Sequence, residues 1–245
     1  MEPAAYRGGG HLFAVIDIIQ GENNFMKRIP VFALLLIFTM LFAACSDNSS
    51  DFTSKSYVSE DTEITAVNID VRDRTIEVSL SADNQVHIDY FESDKEAYSI
   101  SVSDEHALTM TASNNKDWTD YVGGKASADV RKISLQIPDS LLSELTLSTT
   151  NEDIQLSELS VQGVVSLATN GGNIVLDKLN AGNTINLTAK NGNIEGTIVG
   201  GYDDFNISCD IKKGNCNLPD DKQNGTKALN VSNNNGDVNI EFAEN

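Results

Sequence analysis

The sequence predicts an all-β protein whose C-terminal part is a solenoid-like stack of about five coils, each 20–22 residues long. Three observations predict this class. Apolar and polar residues alternate from residue 64 onward, a phrase built around Asn-Gly recurs at a nearly constant interval, and no long window has apolar residues at helical spacing. Alternation is typical of half-buried strands, and a constant interval is typical of stacked coils.

The N-terminal region, residues 64–144, is predicted to consist of ordinary strands that precede the repeats. Its segments are rich in β-branched residues, which favour strands, and turn-forming Asn, Asp and Ser residues separate several of them. We expect it to form one domain with the repetitive region, residues 145–245. The predicted strands are ITAVNIDV (64–71), TIEVSL (75–80), QVHIDYF (85–91), AYSISVS (97–103), ALTMTA (107–112) and KISLQIP (132–138).

The repeats align on one short polar residue in each copy: Asp153, Asn173, Asn193, Asn215 and Asp237. The intervals are 20, 20, 22 and 22 residues. Apolar residues occupy the positions eight and six before this residue and one and three after it in every copy, with Gly196 as the exception. Such columns are what stacked coils bury on one another.

The same columns leave an alternative fold open. The apolar positions are placed symmetrically about the Asn-Gly turn, and Asn-Gly is also the strongest short-range signal for a β-hairpin. An antiparallel hairpin or meander sandwich therefore competes with the stack. In either fold, Asn and Gly are expected at the turn because both tolerate a positive φ.

Two of the three cysteines occupy core columns. Cys209 and Cys216 stand six before and one after the polar residue of the fourth copy, at mirrored positions. We predict a disulfide between them, since an exported protein reaches an oxidising compartment. Two buried free thiols are the alternative, because cysteine also packs well as a small apolar residue.

The region that precedes the first predicted strand carries targeting signals. Residues 26–44 begin with a basic pair, continue with an uncharged run and end in two alanines directly before Cys45. "LFAAC" resembles the lipobox of bacterial lipoproteins, whose cysteine is lipidated and becomes the mature N-terminus. We predict a mis-assigned start over residues 1–25, with Met26 as the true start, and a flexible tether over residues 45–63, which are mostly polar.

Charge and composition exclude several partners. The formal net charge is −19, and the basic and acidic residues before Cys45 balance, so the whole excess belongs to the mature chain. Such a protein repels nucleic acid and anionic lipid. We expect no nucleic-acid partner and attachment to a membrane only through the lipid at Cys45.

Catalytic and metal-binding signatures are absent from the sequence. His87 falls on the polar face of a predicted strand and His106 in a turn, and no zinc, phosphate-loop or nucleophile motif is present. The adjacent acidic pairs at 203–204 and 220–221 are typical of solvated turns. We expect no enzyme, no catalytic residue and no cofactor, with calcium on carboxylate oxygens as the remaining alternative.

One loop suggests a contact surface. Residues 112–129 interrupt the strands and contain the only tryptophan, Trp118, together with Tyr121. Aromatic side chains on a loop can stack on sugars or anchor a protein partner. They can equally fold back over an open end of the stack.

The lipobox, the early strands, the strand ending in "LQIP" and the repeated "TNGGNIVL" and "KNGNIEG" units together resemble the bacterial "putative adhesin" domain family, over residues 60–242. That family is otherwise a domain of unknown function. The resemblance implies a right-handed parallel β-helix-like fold and an extracytoplasmic location, and it brings no catalytic residues.

We therefore predict a non-enzymatic, lipid-anchored binding or interaction module on the outside of the bacterial membrane, with an envelope polysaccharide or protein as its partner. A structural or stress-response envelope protein that works through a membrane partner is the alternative. A polysaccharide-acting enzyme is the third.

Overall fold

The computed structural model describes residues 52–59, 63–114, 125–139 and 141–244, and strands are their main secondary structure. Two short 3₁₀ turns, Ala128–Val130 and Tyr202–Asp204, interrupt them. In chain order the strands are β1 (Thr53–Val58), β2 (Ala66–Asp70), β3 (Thr75–Leu80), β4 (His87–Glu92), β5 (Glu96–Val102), β6 (Ala107–Asn114), β7 (Lys132–Ile137), β8 (Glu144–Thr149), β9 (Ile154–Leu156), β10 (Leu159–Val161), β11 (Val164–Thr169), β12 (Ile174–Ala181), β13 (Thr184–Asn191), β14 (Ile194–Val199), β15 (Phe205–Ile211), β16 (Asp221–Lys222), β17 (Lys227–Asn235) and β18 (Val238–Ala243).

These strands form two sheets. Sheet A has the order β1-β4-β7-β3-β9-β12-β14-β18, with β10 pairing to β12, and sheet B has the order β16-β15-β17-β13-β11-β8-β2-β6-β5. Four of the five repeats contribute their first strand to sheet B and, after the corner, their second strand to sheet A. In the fourth repeat, β15 lies in sheet B and only an isolated bridge from Cys216 to Val238 follows the corner. The all-β prediction is confirmed, and the strands predicted between residues 64 and 138 correspond to β2–β7.

Neighbouring repeats pair in parallel. Val165 lies opposite both Leu145 and Ile185 in sheet B, and Ile174 lies opposite both Ile154 and Ile194 in sheet A. The offset between paired residues therefore equals the repeat length. Parallel pairing at this offset is the arrangement of stacked coils, whereas a hairpin would pair the two strands of one repeat with each other in antiparallel fashion.

The repeats do not stack in chain order. β13 pairs with β17, and β17 pairs with β15, so the fifth repeat lies between the third and the fourth. In sheet A, β14 pairs directly with β18. The fourth repeat thus becomes the outermost coil at this end, and the fifth fills the slot beneath it. We call residues 205–222 the cap coil and residues 227–243 the C-terminal coil.

The N-terminal strands extend the same stack. β2 and β3 pair in parallel with β8 and β9, and β6 and β7 pair in parallel with the outer edges of β2 and β3. They therefore form two further layers below the first repeat. Two antiparallel additions finish this end, because β5 pairs with β6 and β4 pairs with β7.

The tether prediction is wrong for part of its range. Residues 53–58 form β1, which pairs antiparallel with β4 along its whole length. Tyr57 packs against the hydrophobic core and lies opposite Ile88. This stretch has few aliphatic residues, so its sequence did not indicate a strand. An edge strand needs only one covered face and therefore few apolar residues.

The apolar columns form the core. The buried residues of both sheets belong to one cluster, and the columns predicted from the alignment all belong to it or pack against it, except Gly196. Most column residues have 0–3% of their surface exposed, whereas Cys209 and Leu218 of the cap coil reach 6% and 8%. Burial therefore decreases toward the outermost coil, which has a neighbouring coil on one side.

Close approach of the chains explains the glycine at the repeat corner. A Cβ atom on Gly172 would overlap with the carbonyl of Glu152, and one on Gly192 would overlap with the carbonyl of Gly172. Neither glycine has a positive φ, although Gly214 and Gly236, at the same corner of the last two repeats, do. The expected positive φ is thus wrong for two of the four corners, where lack of space requires glycine instead.

The polar residue used to align the repeats forms a ladder along the stack. The backbone N–H of Asn173 donates to Asp153 Oδ1 (2.7 Å), and that of Asn193 donates to Asn173 Oδ1 (2.8 Å). The ladder continues through Asp237 to Asn215 in spatial rather than chain order, at 2.9 and 2.8 Å. These side chains therefore satisfy backbone donors at the corner, where strand pairing is interrupted.

Candidate functional site

The candidate site is a groove on the outer face of sheet A. It has a volume of about 690 Å³ and crosses six strands, β7, β3, β9, β12, β14 and β18. Side chains in a strand alternate between the two faces of a sheet. The residues between the buried column positions therefore point into the groove.

Two rows of outward side chains line the groove, each with one residue per strand, except that Ser157 directly follows the end of β9. Strand register aligns the first row, and the second row lies two residues farther along each strand. A register shift between Leu176 and Leu179 marks a bulge in β12 beside the groove, and bulges bend a strand. The first row is Ser134, Glu77, Gln155, Val175, Glu195 and Asn239, and the second is Gln136, Ser79, Ser157, Asp177, Thr197 and Glu241.

The groove is polar and acidic. Glu77 forms an ion pair with Lys132, whose side chain lies beside the groove. Asp177, Glu195 and Glu241 have no cationic partner among the described residues. Hydroxyl, amide and carboxylate groups can hydrogen-bond to a polyol or an amine, while the negative charge repels an anion.

A cluster of charged side chains surrounds Glu152. Lys125, where the described chain resumes, pairs with Glu152 at 2.9 Å, and Glu152 also pairs with Arg131. Arg131 Nε donates to the carbonyl of Ala126 (2.8 Å). These contacts hold residues 125–131 against Glu152. Trp118 and Tyr121 themselves lie outside the described residues, as does Cys45.

A buried ion pair lies next to this charged cluster. The Arg74 guanidinium is almost fully buried and pairs with Glu96 on β5, while its Nη1 donates to the carbonyl of Asp73 (3.0 Å). Its Nε has no partner among the described atoms. The Arg74 guanidinium also lies 6.0 Å from the centre of the Tyr98 ring. The sequence did not indicate this pair, since its members belong to separate segments of the chain and share no motif.

Two tyrosines lie next to this pair, and their titration is expected to make the N-terminal end sensitive to alkali. Tyr90 and Tyr98 contact each other edge to face, and burial raises the pKa of each to about 12. Because the folded protein holds these protons more tightly than the unfolded chain, we expect full stability below pH 10 and a progressive loss between pH 10 and 12. Urea unfolding across this range would measure the loss.

A double variant, Tyr90→Phe with Tyr98→Phe, is the control for that prediction. Lysines and other tyrosines titrate in the same range, so only the difference from the unmodified chain is informative. The double variant should lose less stability between pH 10 and 12. Equal slopes for the two proteins would contradict the assignment.

The predicted disulfide residues are brought together. The sulfur atoms of Cys209 and Cys216 lie 3.1 Å apart across the core of the cap coil, as two free thiols. Burial, followed by the contact with Cys216, raises the pKa of the Cys209 thiol to about 12. The disulfide stays a prediction.

The other titratable residues singled out in the sequence lie in turns or on the surface. Asp203 pairs with Lys222 at 3.6 Å, Asp204 accepts from the backbone N–H of Gly201, and His106 occupies a turn with φ 62°. His87 Nε2 lies 2.9 Å from Asp83, and this contact is the first of several that lower the pKa of the Asp83 carboxyl to about 2. In the part of the chain that the structure describes, no three His, Cys, Asp or Glu residues are placed to hold a metal ion.

The family model of the Toastrack DUF4097 domain matches residues 64–244, which is most of the chain. The chain belongs to the Toastrack DUF4097 family. The Toastrack fold is β-solenoid-like, in agreement with the all-β architecture described above, and the predicted resemblance to the "putative adhesin" domain family is confirmed.

Solved structures resemble this Toastrack chain at low sequence identity. A "putative cell adhesion protein" from Clostridium sporogenes ATCC 15579 has 12% identity and a TM-score of 0.54, and the match covers 78% of this chain and all of the other. A "putative adhesin" from Bacteroides fragilis NCTC 9343 also has 12% identity, with a TM-score of 0.31, and the match covers 80% of this chain and 98% of the other. No curated protein matches this chain.

The groove was missed in the sequence analysis although its residues were visible there. The positions two and four after the alignment residue point outward in every inner repeat and are mostly polar. What the sequence could not show is that this face is concave.

Among the described residues, no helix is long and apolar enough to cross a membrane.

Proposed function

We propose that this Toastrack protein is a non-enzymatic, adhesin-like binding module that is anchored outside the bacterial membrane by a lipid on Cys45. The observation that carries the proposal is the groove on sheet A. Its two rows offer hydrogen-bonding side chains on six neighbouring strands that lie about 4.8 Å apart. A row of this kind suits an extended polymer better than a small compact ligand.

The chemistry of the groove favours a neutral or amine-bearing polysaccharide as that polymer. Sugar hydroxyls both donate and accept hydrogen bonds, as do the serine, threonine, glutamine and asparagine side chains of the two rows. The carboxylates accept hydrogen bonds from hydroxyl or ammonium groups, and together with the net charge of −19 they oppose anionic polymers. The name "putative cell adhesion protein" of the similar fold from Clostridium sporogenes is compatible with this role.

We also propose that the coils wind right-handedly. Each parallel connection, such as that from β11 through β12 to β13, leaves sheet B, crosses sheet A and returns to sheet B. Crossovers between parallel strands of one sheet are right-handed in about 98% of cases. This winding is also the one that the resemblance to the "putative adhesin" domain family implies.

A binding assay with a groove variant tests the proposed function. In the triple variant Gln155→Ala, Glu195→Ala, Asn239→Ala, three hydrogen-bonding groups leave the first row and no core residue changes. At about 1 kcal/mol for each lost hydrogen bond, we expect affinity for a bound polysaccharide to fall about 100-fold. Titration with purified peptidoglycan fragments and a panel of neutral and amine-bearing polysaccharides would measure it, with calcium present or chelated.

The matched control is the triple variant Ser148→Ala, Thr188→Ala, Ser232→Ala. These three residues face outward from the equivalent strands of sheet B, on the opposite side of the stack. Binding should stay within about twofold of the unmodified chain. If the groove variant binds as well as this control, or if the unmodified chain binds none of the polysaccharides, the proposal fails.

A membrane protein recovered from envelope fractions instead would support the stress-response alternative, and release of cleaved sugar would support an enzyme.

A further inference from the structure

The cap coil differs from the inner coils at one pair of core positions. In the inner repeats the two residues that face each other across the core are an aliphatic pair, Leu167 with Ile174 or Leu187 with Ile194, and at most 1% of each is exposed. In the cap coil the same two positions hold Cys209 and Cys216. Among the five repeats, cysteines therefore replace the aliphatic pair only in the cap coil.

The position of the cap coil explains why packing alone is weaker there. Cys209 lies opposite Val231 and Cys216 opposite Val238, both in the C-terminal coil. Apart from the short strand β16, no further part of the described chain stacks on their outer side. An aliphatic pair at this position would bury apolar surface mainly on one side. The terminal repeats of solenoids differ in sequence from the inner repeats because they have no neighbouring repeat on their outer side.

The cap coil also forms the outer wall of the slot that holds the C-terminal coil. The Asn217 side chain donates to the carbonyl of Ile240 (2.8 Å) and accepts from the N–H of the same residue (3.0 Å). The backbone N–H of Asn215 donates to Asp237 Oδ1 (2.8 Å). Both residues flank Cys216, so the position of Cys216 controls these contacts with the C-terminal coil.

We propose that a disulfide between Cys209 and Cys216 closes the cap coil and thereby retains the C-terminal coil in its slot. The two sulfur atoms, 3.1 Å apart, need to approach by only about 1 Å to reach the length of a disulfide bond. The bond joins the sheet B part of the cap coil to the segment that contacts β18. The slot then has a covalently closed outer wall.

The oxidation needs an external disulfide as the electron acceptor. The thiolate of Cys216, the more exposed of the two, attacks one sulfur of a disulfide donor, forms a mixed disulfide and releases the donor's first thiol. Cys209 then loses its proton and attacks the Cys216 sulfur, which releases the donor's second thiol. The two cysteines lose two electrons and two protons in total, and the donor gains them.

Burial of Cys209 affects the kinetics of this reaction. Because its pKa is raised to about 12, Cys209 is almost entirely protonated at neutral pH and reacts slowly with external reagents. This supports Cys216 as the first sulfur to react. The high pKa does not prevent the second step, in which the mixed disulfide is already next to Cys209.

Peptide mapping of the full chain, purified after export into an oxidising compartment, tests the bond. Digestion without reductant should give a linked pair of peptides that contain Cys209 and Cys216, and mapping separates this pair from Cys45. Two free thiols at these positions would overturn the proposal.

Hydrogen exchange tests the retention of the C-terminal coil. After mild reduction, amides of residues 205–222 and 227–243 should exchange about tenfold faster, while those of residues 164–199 should remain unchanged. Unchanged exchange in residues 227–243 would overturn the retention, even if the bond is present. A double variant, Cys209→Val with Cys216→Val, keeps the column apolar and should show the fast exchange with and without reductant.

Discussion

Replacing Gly192 with alanine is expected to destabilise the protein by about 3 kcal/mol. A Cβ atom at this position would overlap with the carbonyl oxygen of Gly172 in the coil below. Neither backbone can move away easily, because the Asn173–Asn193 ladder and the strand pairing on both sides fix the spacing of the coils. Urea unfolding followed by circular dichroism would measure the loss.

Gly201→Ala is the matched control for this prediction. Gly201 has φ −70°, which any residue adopts, and a Cβ atom there would have its closest neighbour at 3.5 Å, an ordinary contact distance. Alanine should therefore be neutral or stabilise by less than about 1 kcal/mol, because it restricts the unfolded chain. If both variants lose the same stability, close approach at the corner is not the reason for the repeated glycine.

Removing one member of the Arg74–Glu96 pair should cost about 3–5 kcal/mol, because a buried charge is left without its partner. Glu96→Leu removes the carboxylate while Arg74 stays almost fully buried beneath β5. The loss should be measured as the free energy of unfolding at neutral pH. Hydrogen exchange should show that it begins in β5 and β6 at the N-terminal end.

The double variant Arg74→Met with Glu96→Leu separates the cost of the unpaired charge from the loss of packing. Methionine fills much of the volume of the arginine side chain and needs no partner, so the double variant should recover most of the stability lost in Glu96→Leu. A double variant as unstable as the single one would show instead that Glu96 matters through packing or through its other contacts.

Much of this fold follows from the sequence, because the columns and the strands have simple periods. Alternation located β2–β7, and the alignment on Asp153 and its four equivalents gave the register of the repeats. Parallel pairing then follows from stacking like residues on like residues. The strand β1 was missed because Tyr57 is its main core contact, and one aromatic residue gives no period.

The order of the coils could not be predicted from the columns. Leu229 and Ile207 are equally suitable neighbours for Ile185, since all three are aliphatic and occupy the same column. Hydrophobic columns therefore determine which positions stack and leave the order of the last two coils undetermined. The length of the connection between β15 and β17, which passes through β16, is what allows the chain to return to the slot.

The candidate site was harder to predict than the fold, because residues in different structural settings again look alike in the sequence. A polar residue that points outward from a strand looks the same in the sequence whether the sheet is flat or concave. The groove is lined by residues of six strands, and its depth depends on how these strands lie in space. Glu77 on β3 and Glu241 on β18 both line the groove, although they come from opposite ends of the Toastrack domain.

The exchanged order of the last two coils has a consequence for how the protein folds. A chain made from its N-terminus can add coils one by one only as far as β14. Residues 205–222 emerge next, but the neighbour on which they pack, β17 and β18, does not yet exist. The final layers must therefore assemble together once residue 243 is available, which makes completion of this end a late step that depends on contacts formed out of chain order.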